Sequence, residues 1–251
     1  MDKAKTTDTK INMLDKIPVE KVLFLDIETV PQTYQFEDLE DKSRELFEMK
    51  TRFQQNADKS FEQLYNERGG IFAEFGKIVC ISVGFVTSNS MGKQIRMKSF
   101  YHDDEETLLK QFKSLLDEHY SAPNSILCGH NAKEFDFPYI CRRMLINGIK
   151  LPNTLDIAGK KPWEIAHLDT MELWKFGDFK AYTSLALLCH VFDIPTPKDD
   201  ISGADVARVY FEDKDLERIK VYCEKDVVAL IQLFLKMTGN DLVGESEIHY
   251  S

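Results

Sequence analysis

The stretch VLFLDIE, residues 22–28, decides the fold of this chain. Its first four residues are apolar and it ends in acids, the pattern of a buried strand that delivers carboxylates at its end. A strand projects the side chains of Asp26 and Glu28 from one face, with Cα atoms about 6.5 Å apart. Alone, D-x-E also fits a solvated strand end. In a central strand, two adjacent carboxylates are expensive to bury without a cation, so the motif indicates a metal site.

The elements after this strand predict an α/β fold. Strands are expected over 78–86, 94–101 and 125–130, with a last strand or strand-like segment over 166–174. Apolar residues at helical spacing predict helices over 104–119 and 137–146 and in most of the remainder. This order predicts a mixed five-stranded sheet flanked by helices.

The length of 251 residues fits one domain with a substantial core. We expect a flexible arm over 1–20, a domain over 21–240 and a tail over 241–251. Residues 31–76 form an insertion after strand 1 whose apolar spacing predicts two helices. It either folds over the acidic strand end as a lid carrying Arg52 and Arg68 or packs on one sheet edge, and both readings stay open.

Charge and cysteine content restrict the partners. The net charge is −10, so diffuse electrostatic attraction cannot hold a nucleic acid and any contact with one must be local. The five cysteines include no C-x-x-C pair and are expected to be buried apolar residues. Their odd number, the lack of a leader and the lack of an apolar run of roughly 18 residues predict a cytoplasmic protein without membrane contact.

A second motif is GHNAKEFDFPY, residues 129–139. Asp136 could cap the helix that follows, with Pro138 in its first turn. A carboxylate at a strand-to-helix corner could equally project over the carboxyl-terminal edge of the sheet. The two roles are compatible.

A third motif is Y-x-x-x-D, formed by Tyr222 and Asp226. Their spacing places them one turn apart on the same helix face. A core tyrosine beside a surface acid has the same pattern. The residues after Asp226 are largely apolar, and a purely solvated acid fits such a stretch poorly.

The order D-x-E, N-x-x-x-F-D, Y-x-x-x-D resembles the DEDD 3′-5′ exonucleases in their tyrosine-bearing branch. The chain is most similar to stand-alone relatives of the proofreading domain of family B DNA polymerases, over about residues 22–237. The resemblance implies a ribonuclease-H-like fold. The histidine branch would place its histidine at position 221, which is Val221 here.

The resemblance also implies residue roles. Asp26, Glu28, Asp136 and Asp226 would hold two Mg²⁺ or Mn²⁺ ions, and Tyr222 would orient the attacking water. Two such ions about 3.5 to 4 Å apart activate a water and stabilise the leaving oxygen. Tyrosine, with an ordinary pKa near 10, acts as a hydrogen-bonding guide and not as a base.

Substrate contacts are expected around this site. The resemblance implies contacts of the terminal nucleotide with Thr29 and Val30, and position adds Asn131 and Phe135. Phe135 is explained either by core packing or by base stacking, which tolerates any base. Local positive charge is expected from three residues that otherwise form a solvated face: Lys133, Arg142 and Arg143.

The leading hypothesis is a DNA 3′-5′ exonuclease that acts on a single-stranded 3′ end, releases nucleoside 5′-monophosphates and serves repair, proofreading or trimming. The alternatives are a 3′-5′ exoribonuclease and a non-catalytic nucleic-acid-binding module. A proofreading role would need a polymerase partner. The sequence identifies no polymerase or repair partner and no oligomeric state.

Overall fold

The structure is a computed structural model that describes residues 17–55, 59–90, 92–178, 180–196 and 201–251. Most of the expected arm, residues 1–16, lies outside the described residues. Its described end is packed and not loose, because Val19 is buried in a short 3-10 turn, Val19–Lys21, directly before the first strand.

Six strands form one mixed sheet in the order β5-β4-β1-β2-β3-β6. The pairs β1–β2 and β2–β3 are antiparallel, and β1–β4, β4–β5 and β3–β6 are parallel. The strands are β1 (Val22–Pro31), β2 (Gly76–Asn89), β3 (Gly92–Tyr101), β4 (Ile126–Gly129), β5 (Leu168–Asp169) and β6 (Ile248–Tyr250).

Helices cover both faces of the sheet, as expected. The helices are α1 (Asp41–Thr51), α2 (Phe61–Arg68), α3 (Glu105–His119), α4 (Asp136–Ile146), α5 (Thr170–Lys175), α6 (Leu185–Val191), α7 (Val206–Arg208) and α8 (Leu216–Met237). A π-helical turn, Val209–Asp213, follows α7 directly. None of the helices in the described ranges has both the length and the apolar character that crossing a bilayer requires.

The alternation of β1 assigns its side chains to two cores. Residues 23, 25 and 27 pack with α3 and α4. Val22 and Phe24 pack on the other side with the apolar face of α8. Because side chains two apart share a face, Asp26 and Glu28 also point toward α8. The strand therefore delivers both acids to one side of the sheet, as its sequence predicts.

The fold class is confirmed, and two details differ from expectation. The sheet has a sixth strand, β6, within residues 241–251, which we expected to be a tail. The chain before it is fixed by Gln232, whose side chain makes hydrogen bonds of 2.6 and 3.0 Å with the backbone of Val243. Within 166–174 only two residues are strand, because the carboxylate of Asp169 caps the amides of Met171 and Glu172 and starts α5.

The insertion contains the two expected helices, α1 and α2, and has an aromatic core of its own. Phe47 lies at the centre of this core, with ring-centroid distances of 5.2 Å to both Tyr65 and Phe75. The guanidinium of Arg52 lies over the ring of Phe53 at 4.5 Å, and Arg68 is exposed in the last turn of α2. The insertion is thus a packed unit, and its role as a lid stays a prediction.

The cysteines behave as the sequence predicts. All five are free thiols, and four of them are buried while Cys141 is half-buried. Cys80 and Cys223 lie on the α8 side of the sheet, next to the acids of β1.

Candidate active site

The end of β1 combines two acids with a β-bulge. Glu28 lies opposite Cys80 on β2, but Thr29 lies opposite Ile78, so Val79 is the extra residue. A bulge increases the local twist and re-aims the side chains beside it. The side chain of Glu28 is only 7% exposed, so the D-x-E motif is not a solvated strand end.

Helix α8 brings the third motif to these acids. The Cys223 thiol donates to the backbone oxygen of Asp26 at 3.5 Å and to its Oδ2 at 3.6 Å. Repulsion from Asp226 contributes to raising the pKa of both Asp26 and Glu28, so the three carboxylates share one pocket. Tyr222 forms a side-chain hydrogen bond with Asp226. The structure therefore brings the D-x-E and Y-x-x-x-D motifs together.

Asp136 reaches the same pocket from α4. It is the first residue of the helix, and Phe135 occupies the N-cap position without a side-chain hydrogen bond, so the capping interpretation of Asp136 is wrong. Its carboxylate accepts hydrogen bonds from its own backbone amide and from that of Ile27 on β1. Because Ile27 lies between Asp26 and Glu28, this contact places Asp136 beside both acids.

Burial determines the protonation of the cluster. Desolvation, and then repulsion from Asp136 and Asp226, raises the pKa of Asp26 well above its ordinary value. Desolvation and repulsion from Asp26 do the same to the pKa of Glu28. Desolvation raises the pKa of Asp136 to about 7, although the backbone hydrogen bonds oppose this rise. Desolvation and mutual repulsion thus both favour the protonated form of the buried acids.

The donor set fits hard divalent cations. Carboxylate oxygens from β1, α4 and α8 converge, and Mg²⁺ and Mn²⁺ prefer oxygen ligands. The pKa of Glu28 is raised by desolvation first and then by repulsion from Asp26, Asp226, Cys80 and Asp136. A divalent cation would offset that repulsion.

Tyr222 stays protonated in this setting. Desolvation, followed by repulsion from Asp226 and Glu28, raises the pKa of Tyr222 far above its ordinary value. At neutral pH its hydroxyl is therefore a hydrogen-bond donor and not a base.

A polar chain that the motifs did not reveal lies behind the acids. Ser82, opposite Asp26 on β2, is 2.9 Å from the hydroxyl of Ser99, which donates to Glu224 of α8 at 2.8 Å. Glu224 is 7% exposed. These bonds tie α8 to β2 and β3 and fix the helix that carries Tyr222 and Asp226.

Asp169 is a second residue that sequence reasoning missed. Its Oδ1 accepts from the amide of Asn131 at 2.9 Å and its Oδ2 accepts from the amide of Lys133 at 3.0 Å. Asn131 has a left-handed φ of +63°, which these bonds stabilise. Asp169 thus holds the turn that leads to Asp136. An aspartate directly before a helical pattern is a cap signal and could have identified it.

The residues expected to contact the substrate differ in how deeply they are buried. Thr29 and Asn131 are half-buried beside the acids, and Thr29 forms a side-chain hydrogen bond with Tyr139. Phe135 is partly buried with its ring centroid 5.3 Å from that of Tyr139. Val30 is completely buried, so its side chain packs in the core and offers no surface to a nucleotide.

Arg143 does not supply charge to a substrate, contrary to expectation. It is 5% exposed and its guanidinium is 2.6 Å from the carboxylate of Glu105. Arg142 is exposed, and Lys133 is half-buried and paired with Glu172 at 2.6 Å. Spacing along α4 did not distinguish its buried arginine from its exposed one.

Two cavities lie near the sheet. One of about 430 Å³ borders the turn before Asp136, and its lining includes Asn131, Lys133, Lys160 and Lys175. The other, of about 870 Å³, is lined by Leu23, Val83 and Phe85 on the opposite side of the sheet and contains none of the four acids. The smaller cavity also contains none of the four acids, but its lining includes Asp169, which holds the turn before Asp136.

The mixed sheet, with acids at the end of its central strand and on the helix packed against it, defines a protein of the ribonuclease-H-like fold. The family model described as predicted 3′-5′ exonuclease related to the exonuclease domain of PolB matches residues 71–244, and the chain belongs to this family. Membership implies a nucleic acid substrate and dependence on divalent cations. The resemblance found in the sequence is confirmed.

A solved structure agrees with the fold. The family B DNA polymerase from the hyperthermophilic archaeon Pyrobaculum calidifontis is similar with a TM-score of 0.55 and 17% sequence identity. The match covers 86% of this chain and 24% of the polymerase chain, so this chain spans about a quarter of that protein. The family match includes Asp136, Tyr222 and Asp226 but begins after Asp26 and Glu28.

Proposed function

We propose that this protein is a 3′-5′ exonuclease that hydrolyses the terminal phosphodiester of DNA and releases nucleoside 5′-monophosphates. The observation that carries the proposal is the convergence of carboxylates from β1, α4 and α8 in a desolvated pocket. Repair, proofreading and trimming of DNA all use this reaction.

Four residues would hold the metal ions: Asp26, Glu28, Asp136 and Asp226. When bound, two Mg²⁺ or Mn²⁺ ions lower the pKa of a water and neutralise charge that develops on the leaving 3′ oxygen. The acids come from three separate elements, so their positions depend on the packing of α4 and α8 against the sheet. Burial of Glu28 and Asp136 keeps bulk water away from the reacting phosphate and strengthens electrostatic interactions there.

Tyr222 would position the attacking water. Its hydroxyl is hydrogen-bonded with Asp226, and its raised pKa keeps the proton on the phenol. A protonated phenol orients a water but does not accept its proton. We therefore assign Tyr222 a positioning role.

The terminal nucleotides would contact Thr29, Asn131 and Phe135. The partly buried ring of Phe135 can stack on a base without selecting among bases. Of the three lysines that line the cavity beside the turn before Asp136, Lys133 and Lys175 pair with Glu172 and Glu134, so Lys160 would provide local attraction for phosphates in a protein whose net charge is −10. A single strand would suit these contacts because its bases are free to stack.

The first experiment compares labelled single-stranded DNA and RNA of one sequence, with free and blocked 3′ ends, in the presence of Mg²⁺ or Mn²⁺. Wild type is tested beside Asp26→Asn and beside Asp117→Asn, which alters an exposed acid paired with Lys113. We expect stepwise release of mononucleotides from free 3′ DNA ends by wild type and Asp117→Asn only, and loss with chelator.

The other outcomes separate the alternatives. Preferential degradation of RNA would establish an exoribonuclease. The same four acids would serve that reaction, because they would act at the phosphate and not at the 2′ position. Binding without turnover, with any metal and substrate, would refute the enzyme and leave a nucleic-acid-binding module.

A further inference from the structure

Cys223 lies inside the acid cluster. Its Sγ and one carboxylate oxygen from each of Asp26 and Glu28 all lie within 4.8 Å of one another. Ligands of a tetrahedral zinc site with Zn–S of about 2.3 Å and Zn–O of about 2.0 to 2.2 Å are about 3.5 Å apart. Side-chain movements of about 1 Å would therefore bring these three atoms around one cation.

The other contacts of these groups leave room for such an ion. Glu28 is 7% exposed. The hydrogen bond that the structure gives the Asp26 carboxylate comes from the Cys223 thiol itself. The Cys223 thiol and the carboxylates of Asp26 and Glu28 thus lie close enough for one cation to contact all three. A second thiol, that of Cys80, makes its hydrogen bond with the Ser82 hydroxyl at 3.7 Å.

We infer that this protein has a sulfur-containing coordination mode in which a thiophilic divalent cation, Zn²⁺ or Cd²⁺, is held by Asp26, Glu28 and Cys223. Hard ions such as Mg²⁺ and Mn²⁺ bind oxygen and leave the thiol protonated. A thiophilic ion binds the thiolate, so the S–H bond breaks, a metal–sulfur bond forms and one proton leaves to solvent. The ion's chemical class therefore decides whether Cys223 becomes a ligand.

This mode has a consequence for catalysis. Asp26 and Glu28 are also the acids that would hold the catalytic ions, so a thiophilic ion at Cys223 competes with Mg²⁺ or Mn²⁺ and inhibits hydrolysis. The inhibition rests on the proposed function, whereas binding of the thiophilic ion does not.

The test is a Cd²⁺ titration of the full chain, followed by the sulfur-to-cadmium charge-transfer band in the ultraviolet. Wild type is compared with Cys223→Ser and with Cys141→Ser, which alters a half-buried thiol bonded to Leu155 and away from the cluster. We expect a saturable band in wild type and Cys141→Ser. In Cys223→Ser the band is lost and the affinity falls by about tenfold or more, since loss of even an outer-shell partner weakens metal binding that much. Equal bands and affinities in all three proteins would overturn the inference.

Two further measurements guard against a folding defect. Cys223→Ser should bind Mn²⁺ within about twofold of wild type, because Mn²⁺ uses the oxygen ligands. In wild type alone, X-ray absorption at the zinc edge should show a sulfur neighbour at about 2.3 Å, a result that requires no variant. Absence of a sulfur neighbour would refute a thiolate ligand even if Cys223→Ser does not fold.

Nuclease assays separate this inference from the proposed function. Zn²⁺ should inhibit the Mn²⁺-dependent reaction, and excess Mn²⁺ should relieve the inhibition. A Cys223-dependent Cd²⁺ band in a protein without nuclease activity would uphold the metal site and refute the proposed function. Normal nuclease activity without that band would refute the metal site alone.

Discussion

Glu28 and Glu105 are equally buried, at 7% and 6% exposed, but their surroundings are opposite. The carboxylate of Glu105 accepts hydrogen bonds from the Ile78 amide at 2.7 Å, from the Arg143 guanidinium at 2.6 Å and from Asn147 at 2.9 Å. Glu28 faces other acids, and their repulsion adds to the desolvation that raises its pKa. Burial alone therefore does not distinguish the two acids, whereas the groups that surround them do.

The two surroundings have different energetic consequences. At Glu105, hydrogen bonds and the paired guanidinium offset the desolvation of both charges. At Glu28, desolvation and repulsion from neighbouring acids destabilise the folded protein until protons or cations bind. The contacts of Glu105 stabilise the fold. The surroundings of Glu28 favour the binding of a proton or a cation.

The largest expected effect comes from making the same substitution at both sites. Glu28→Gln should lower kcat/KM for 3′-end hydrolysis by roughly 10⁴-fold, or about 5.5 kcal/mol, because it removes a charged metal ligand. Glu105→Gln should leave the activity of the folded enzyme within about twofold, since it does not touch the acid cluster. Steady-state kinetics on single-stranded DNA measure both. Similar activity losses in the two variants would remove the distinction between the sites.

The same two substitutions should affect stability in the reverse order, with the larger loss at Glu105. Glu105→Gln leaves the buried Arg143 without its charged partner and should lower the free energy of unfolding by about 3 to 5 kcal/mol. Glu28→Gln removes a repelling acid and should not destabilise the metal-free protein. Urea unfolding monitored by circular dichroism compares them. The double variant Glu105→Gln/Arg143→Met should recover part of the loss, and failure to recover it would show that the pair is not responsible.

Stability without metal should depend on pH through the acid cluster. The pKa of Asp136 is about 7 in the folded protein against an ordinary 3.8, so the folded state binds more protons between these values. Stability from this group is fully present below about pH 4 and falls as pH rises through about 7, by about 4 kcal/mol. The raised pKa values of Asp26 and Glu28 act in the same direction.

Chelator-treated wild type and Asp136→Asn would be unfolded with urea at several pH values. The difference between them should change through pH 4 to 7, and Mg²⁺ should stabilise wild type most at the upper end of that range. A difference that does not vary with pH would show that Asp136 has an ordinary pKa in the folded protein.

The smallest expected effect is at Tyr222. Tyr222→Phe should lower kcat by about tenfold, or about 1.4 kcal/mol, because one hydrogen bond to the attacking water is lost. Its pKa lies far above neutrality, so the variant should keep the pH profile of wild type between pH 6 and about pH 9. Tyr182→Phe, at an exposed tyrosine, is the matched control. Loss of a basic limb in the profile of Tyr222→Phe would instead assign the phenol a role in proton transfer.

Much of the site was predictable because it depends on the spacing of residues within one strand or one helix. Residues two apart in β1 share a face, and residues four apart in α8 share a face, so Asp26 with Glu28 and Tyr222 with Asp226 could be paired from sequence. Their convergence on one pocket followed from the family resemblance and not from spacing. The capping interpretation of Asp136 failed because one residue of offset at a helix start changes which side chain is the cap.

The sequence by itself determined the central strand, the order of the main strands and helices, the two-helix insertion and the acids that define the family, since these depend on periodicity and short spacings. Only the tertiary structure decided that Arg143 pairs with Glu105, that Asp169 holds the turn before Asp136, that residues 248–250 add a strand and that Cys223 points at Asp26. Each of these involves partners 36 or more residues apart. Contacts at such separations depend on how helices and strands pack, and local periodicity carries no information about them.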